Sequence, residues 1–281
     1  MKRIGLIGGT GLFGLNSELM SSWNLIETTD LAVDTAYGEV PITVFDFQKD
    51  DQNCKVFFLQ RHHNIGGKTK TPHKINHLAN VSAILSCNVE FTVAVCSVGA
   101  INEDFIPGMV GLAEQYIDFS GIPISFQNND AEFTSMTSPF DADLNNKLLK
   151  SLRESQPQFS ELEDEKFLFT YWFSPGPQFE TPAEIRAISK LGGDCVGMTL
   201  APEAKLMAEK GHKFSAILIA GNYAAGLDEN TFYGILQPVR MIVDILSTLV
   251  NSKGFKKGLV GAVETLGTLV SGTFGIGKGV R

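Results

Sequence analysis

The chain reads as one α/β domain built on a single sheet, and three observations predict it. Apolar, β-branched runs alternate with helix-patterned segments along the whole chain. Several of those runs end in a small or hydroxyl-bearing turn, at Gly8-Gly9-Thr10-Gly11, Ser97-Val98-Gly99 and Gly221-Asn222. At 281 residues with 43% hydrophobic and 19% charged content, the chain can bury one large core or two smaller ones at most.

Arg3–Ile7 is a short apolar strand running into the first glycine turn. Gly9, Gly11 and Gly14 spell the GxGxxG dinucleotide fingerprint. The context argues against that reading, because LNSELMSSW is no long apolar-striped helix and Asp30 and Asp34 lie in polar sequence expected to form turns. Backbone N–H groups of such a turn, beside the Thr10 hydroxyl, suit a single phosphate equally well. Val40–Phe45 and Lys55–Leu59 read as paired strands joined by a polar turn. The second runs into Gln60-Arg61-His62-His63, and an arginine fork at a strand end is a natural phosphate ligand, with His62 as a donor beside it.

Residues 64–74 are rich in glycine and lysine and read as a loop. His62, His63, His73 and His77 lack accompanying acids, so metal binding is not expected. Residues 76–85 carry helical periodicity, and Phe91–Cys96 is a buried strand ending at Ser97-Val98-Gly99. A strand is expected to end near Asp118, followed by a long polar connection over 120–140 that reads as functional or partner-facing. Residues 143–154 are helical, 156–165 a charged, solvent-facing stretch and 166–173 a strand. Thr181, Pro182 and Glu184 have the spacing of a helix start. Residues 202–210 form a helix stopped by Gly211, 215–220 the next core strand, and 237–251 a long amphipathic helix. Ligands in open α/β sheets gather at the carboxyl ends of strands, so Thr10, Arg61 and Ser97 are one repeated signal.

A net charge of −8 gives no basic footprint for nucleic acid. Four scattered cysteines without a CxxC pair, no secretory leader and no apolar run of membrane-spanning length predict a soluble, cytoplasmic protein with reduced thiols.

In order along the chain, IGLIGGTG, LQRH, PHKIN, SVGAINEDFIPG, MTSPF, GPQFETPAEIR, VGMTLAPEA and the strand ending in Asn222 together resemble the trimeric purine nucleoside phosphorylases. The similarity is greatest to their 5'-methylthioadenosine phosphorylase branch. It implies a mixed sheet closing toward a barrel over residues 1–255, with 256–281 a Gly/Val-rich tail, in a homotrimer. It also implies purine nucleoside and inorganic phosphate as substrates, and no cofactor or metal. By matching positions, phosphate would meet Thr10, Arg61, His62, Ser97 and Thr199. Ribose would meet Met198, and the base would lie between Phe179 and the Val98-Gly99 turn. Glu180 and Asn222 would hold the base, and Met136 of a neighbouring subunit would wall the 5' end.

The chemistry suits these types of residue. Cleaving an N-glycosidic bond builds cationic character on the sugar and negative charge on the departing purine. An anion must be held under C1' while a hydrogen bond meets the growing charge on the base. Asn222, through N7, is the candidate for that bond. The 6-aminopurine enzymes of the branch carry Asp at the positions of Asn222 and Ala224, and Ala224 offers no acceptor for a 6-amino group. An amide at Asn222 and an acceptor at Glu180 fit a 6-oxopurine, so 5'-methylthioinosine, inosine and guanosine rank ahead of methylthioadenosine. The alternatives are a 6-aminopurine enzyme and a nucleoside-binding relative with weakened turnover. The second alternative rests on departures from the branch pattern after Arg61, where Asn64 and Ile65 stand and the loop is longer. Gly221 stands where relatives usually carry Thr, and Cys96 where a polar residue is common.

Overall fold

The computed structural model describes residues 1–9, 12, 25–49, 52–63, 69–128 and 132–227. Thr10, the loop after His63, the helix expected over 237–251 and the tail lie outside the described residues.

Among the described residues nine strands, β1 (Lys2–Gly8), β2 (Leu25–Thr35), β3 (Gly38–Lys49), β4 (Gln52–Gln60), β5 (Phe91–Ala100), β6 (Val110–Ile117), β7 (Leu168–Phe173), β8 (Cys195–Gly197) and β9 (Phe214–Tyr223), form one sheet. Their order is β2-β3-β4-β1-β5-β8-β7-β6-β9, and β9 also pairs with β5. That extra pairing closes β5, β8, β7, β6 and β9 into a ring, while β1 to β4 extend from it as an open wing. β1 (Lys2–Gly8) lies between β4 (Gln52–Gln60) and β5 (Phe91–Ala100), parallel to both. β5 is also parallel to β9 (Phe214–Tyr223), so β1, β4, β5 and β9 end on one side. These strands are almost continuously apolar because both faces are covered; in β9 every residue from Phe214 to Gly221 is buried.

The register makes a step. Gly8, at the end of β1, is level with Gln60 on one side and Val95 on the other. β5 continues through Cys96–Ala100 alongside β9, and Gly99 lies between Val196 of β8 (Cys195–Gly197) and Asn222. Between Val98 and Gly99 the register with β9 shifts by one residue, from Ala220 to Asn222. Gly221 is the extra residue of this bulge, and a bulge re-aims the side chain that follows it.

β7 (Leu168–Phe173) and β6 (Val110–Ile117) complete the ring. Four α-helices among the described residues flank the sheet: α1 (His77–Ser86), α2 (Ala142–Glu154), α3 (Pro182–Lys190) and α4 (Leu200–Glu209). Their starts follow the sequence. Asn76 accepts the Ala79 N–H, Asp141 the Leu144 N–H, and Thr181 with Glu184 forms a complete capping box.

Two expectations change. Asp30 and Asp34 lie not in turns but in β2 (Leu25–Thr35), an edge strand paired antiparallel with β3 (Gly38–Lys49). Its polar sequence reflects exposure along most of its length, where only Leu25 and Val33 pack against the core. The stretch after α2 is not wholly solvent-facing: Gln156 is fully buried, accepting from the Val110 N–H and donating to the Val110 carbonyl, both at 2.8 Å. A glutamine amide there completes the hydrogen bonding of Val110 on the side away from β9, where the pairing with the strand Leu168–Phe173 begins only at Leu112.

Candidate active site

The carboxyl ends of β1, β4, β5 and β9 meet the starts of α3 and α4, and two neighbouring clusters of polar groups result.

The first surrounds Arg61, which follows β4. The residue is 1% exposed, and Glu203 of α4 is fully buried opposite it. Nε donates to Glu203 Oε1 at 2.7 Å and Nη2 to Oε2 at 3.0 Å. Nη1 donates to the Val95 carbonyl at 2.9 Å, and Nη2 reaches the Ile7 carbonyl at 3.5 Å. The guanidinium also touches the Cys96 thiol. A Cβ on Gly9 would come within 2.7 Å of Nη1, so only glycine lets the first turn lie against the guanidinium. Burial works against the charge on Arg61, but Glu203 more than offsets it and holds the pKa above its ordinary value. Burial pushes the Glu203 carboxyl up and Arg61 pulls it back; the two short contacts are those of an ionised, bidentate pair.

The histidines nearby have assigned tasks. The ring of His62 bonds the Lys70 carbonyl through Nδ1 at 2.8 Å. A carbonyl only accepts, so the proton sits on Nδ1 and the neutral ring presents Nε2 as an acceptor, not as the donor the sequence suggests. Burial, then the charge of Arg61, lowers its pKa to about 4 despite the Lys70 bond. His63, with φ of 47°, is buried and donates from Nε2 to Asn80 Oδ1 at 2.6 Å; Asn80 in turn donates to the Arg61 carbonyl. Lys70 Nζ is 3.4 Å from His63 Nδ1. Both ring nitrogens of His63 therefore brace the chain around Arg61. Among the described residues, no group of His, Cys, Asp and Glu side chains has the arrangement of a metal site.

The second cluster lies past the step. Ser97 Oγ is buried and has no hydrogen-bond partner among the described residues, and the same holds for Glu180 Oε1, just before the capping box of α3. Thr199, at the start of α4, is buried with its hydroxyl 3.9 Å from the Cys96 sulfur. Its N–H and that of Leu200 both donate to the buried Tyr171 hydroxyl, which fixes the start of α4. Met198 is half-buried against Gly176; a Cβ there would come within 2.6 Å of its sulfur, and φ of +66° independently favours glycine. Asn222 is half-buried and donates from Nδ2 to the Tyr223 carbonyl at 2.7 Å, leaving Oδ1 and the second amide hydrogen.

From Asn222 the chain passes Gly99, where Ala224 lies against the glycine, and reaches Pro182, where Gly226 makes the same close approach. This run ties Asn222 to the start of α3 and so to the neighbourhood of Glu180. Val98 is buried and Gly99 half-buried at the turn. Phe179 is 84% exposed, and Met136 is half-buried on a segment where Phe133 is 95% exposed.

The sequence-predicted residues thus gather at adjoining strand ends, apart from Met136 on its separate segment and Thr10 outside the described residues. Sequence reasoning missed Glu203, His77, Asn80 and Tyr171. The readable signal for Glu203 was an acid on the helix face formed by Leu200, Ala201, Ala204 and Met207, where only a paired charge is tolerated.

Strand ends thus bring a glycine turn, a buried arginine and unpartnered oxygens together at the carboxyl edge of an α/β sheet. The chain belongs to the Phosphorylase superfamily, whose family profile matches residues 4–237. It is 35% identical over 236 residues to 6-oxopurine nucleoside phosphorylase of Pyrococcus furiosus, covering 81% of this chain and 82% of that protein. It is 34% identical over 232 residues to a protein of Methanopyrus kandleri named "Probable S-methyl-5'-thioinosine phosphorylase", covering 82% of each. The fold also matches the crystal structure of a methylthioadenosine phosphorylase from an antarctic soil metagenomic library, with a TM-score of 0.71, 22% identity, and coverage of 89% of this chain and 86% of that one.

Proposed function

We propose that this chain catalyses phosphorolysis of purine nucleosides, releasing the free base and a ribose 1-phosphate or its 5-deoxy-5-methylthio form, with 6-oxopurines favoured. The observation that carries the reading is Asn222, re-aimed by the Gly221 bulge beside Gly99, with an unpartnered Glu180 oxygen in the same neighbourhood. The remaining amide hydrogen of Asn222 donates to the 6-oxo group as negative charge builds on the base, and Oδ1 accepts from N7–H once N7 takes a proton from water. Glu180 accepts from N1–H, a proton 6-oxopurines carry and adenine lacks. Ala224, buried against Gly99, offers nothing to a 6-amino group. A site that depends on such bonds rejects the wrong base by ~10⁴ or more. The P. furiosus and M. kandleri relatives, named for 6-oxopurine and methylthioinosine substrates, support the same assignment.

Phosphate is held by Thr10, Ser97, Thr199 and Arg61, with His62 Nε2 limited to accepting from a phosphate O–H, and the orphaned Ser97 hydroxyl is the supporting observation. Met198 lines the ribose, and the base lies between Phe179 and the Val98-Gly99 turn. No metal or cofactor enters the chemistry. A homotrimer in the cytoplasm follows the family resemblance; exposed Phe119, Ile122, Phe133 and Phe179 give such an assembly apolar surface to cover. Met136 then walls the 5' end of a neighbour's site.

The test is a screen of inosine, guanosine, adenosine, 5'-methylthioinosine and 5'-methylthioadenosine with and without phosphate. Phosphate-dependent release of hypoxanthine or guanine at rates well above adenine release is expected. Equal cleavage without phosphate contradicts the reading. A nucleoside binder with weak turnover is the second reading, favoured by one observation: the Arg61 fork is already occupied by Glu203. Binding without product at saturating phosphate would select it.

A further inference from the structure

We infer that Glu203 is a displaceable counter-ion for Arg61, and that His77 is placed to receive its carboxylate when the guanidinium turns toward phosphate. The inference rests on the phosphate reading above and goes beyond it, because it concerns what Arg61 gives up in order to bind.

An arginine has five N–H donors. Two are spent on Glu203, one on Val95 and one on Ile7, and the guanidinium lies against the Cys96 thiol. In this arrangement Arg61 has no fork left to offer an oxyanion, and its charge is matched by a carboxylate in the same buried space. Phosphate can win a two-point contact only by taking the place of Glu203. A phosphate dianion is a stronger partner for a guanidinium than a carboxylate is, so the exchange is favourable if the carboxylate is not stranded.

A second group prevents that stranding. His77, the first residue of α1, is buried, and its Nδ1 has no hydrogen-bond partner among the described residues. That nitrogen is 4.0 Å from Glu203 Oε1, too far for a bond and close enough to become one with a small shift. The three groups come from three separate elements, the end of β4, α4 and α1, so each can adjust without unfolding another. The groups around His77 agree. Burial, then the positive charges of Arg61 and His62, lowers its pKa to about 3, so withdrawing Arg61 removes one of the influences that keep the imidazole from carrying a proton.

Calorimetric titration of inorganic phosphate into the full chain, its Glu203→Gln variant and its His77→Leu variant tests the exchange. Hypoxanthine titrations serve as the control. Glu203→Gln, which frees the guanidinium, is expected to bind phosphate about tenfold more tightly despite lower thermal stability. His77→Leu, which leaves the carboxylate without a second partner, is expected to bind about tenfold more weakly. Both should bind hypoxanthine within about twofold of the parent chain. A purely structural pair predicts the opposite for Glu203→Gln, so equal or weaker phosphate binding there overturns the inference. Should that variant not fold, the parent chain decides: the ¹⁵N signal of Arg61 Nε–H must shift on saturation with phosphate, and an unmoved signal overturns the inference. A parent chain that turns over 6-oxopurine nucleosides with phosphate while that signal stays fixed keeps the functional reading and sinks only this one. A parent chain that takes no phosphate sinks both.

Discussion

The two clusters at the sheet's carboxyl edge differ in how completely the protein satisfies them. Around Arg61 the described bonds are internal: guanidinium to carboxylate, His63 to Asn80, Asn80 to the Arg61 carbonyl. Around Asn222 the polar atoms are left open, with Glu180 Oε1 unpartnered and Phe179 exposed. Buried groups without partners are costly and rarely kept without a use. The contrast teaches that the base side is prepared for a ligand, whereas on the anion side Ser97 Oγ and His77 Nδ1 stay open while Arg61 holds an internal stand-in, the Glu203 carboxylate. A side chain can therefore be essential to the fold and to the ligand at once, and substitutions separate the two roles only when stability and activity are measured together.

The sharpest way to break the comparison is Arg61→Met. It leaves the buried Glu203 carboxylate alone, and a loss of about 3–5 kcal/mol in chemical denaturation is expected. Arg61→Met combined with Glu203→Leu should recover much of that stability without recovering phosphate binding. On the base side, Asn222→Ala should leave the folding transition nearly unchanged. It should lower kcat/KM for 6-oxopurine nucleosides at least a hundredfold, about 3 kcal/mol of transition-state stabilisation. If instead Asn222→Ala unfolds the chain and Arg61→Met does not, the contrast is reversed.

Acid denaturation sharpens the anion side. His62 and His77 have folded pKa values lowered to about 4 and about 3, against an ordinary value of 6.5. The unfolded chain binds protons at these residues below pH 6.5 while the folded one does not, so their stabilising contribution is full above that pH. It is lost as the pH falls toward 4 and then 3, with a slope of about 1.4 kcal/mol per pH unit for each group. Denaturation of His77→Leu between pH 7 and 4 should show a visibly flatter decline. Smallest is Thr181→Ala, which removes the capping box ahead of α3; a loss of about 1 kcal/mol and a modest rise in KM for the nucleoside are expected, because Glu180 adjoins the cap.

Local features were legible where local chemistry decides them. The Thr181-Pro182-Glu184 start, the pairing of β3 with β4 and the strand-to-turn ends at Gly8, Arg61 and Ser97 follow from residue type and spacing. β2 was not legible, because an edge strand that packs only Leu25 and Val33 against the core carries too little alternation in its sequence. Nor was the commitment of Arg61 to Glu203, a contact between residues 142 positions apart that no local pattern encodes. The bulge at Gly221 was equally hidden, since register is a property of two strands. The histidines show the same limit: residue type suggested a donor at His62, whereas the tautomers were set by the partners, a carbonyl at His62 and an amide oxygen at His63.

The most direct measurement is a crystal structure of the chain with hypoxanthine and phosphate bound together. The base is expected between Phe179 and the Val98-Gly99 turn with N7 on Asn222, and phosphate within reach of Ser97, Thr199 and a guanidinium turned from Glu203. Base and phosphate bound far apart, or a base whose N7 faces away from Asn222, would contradict it.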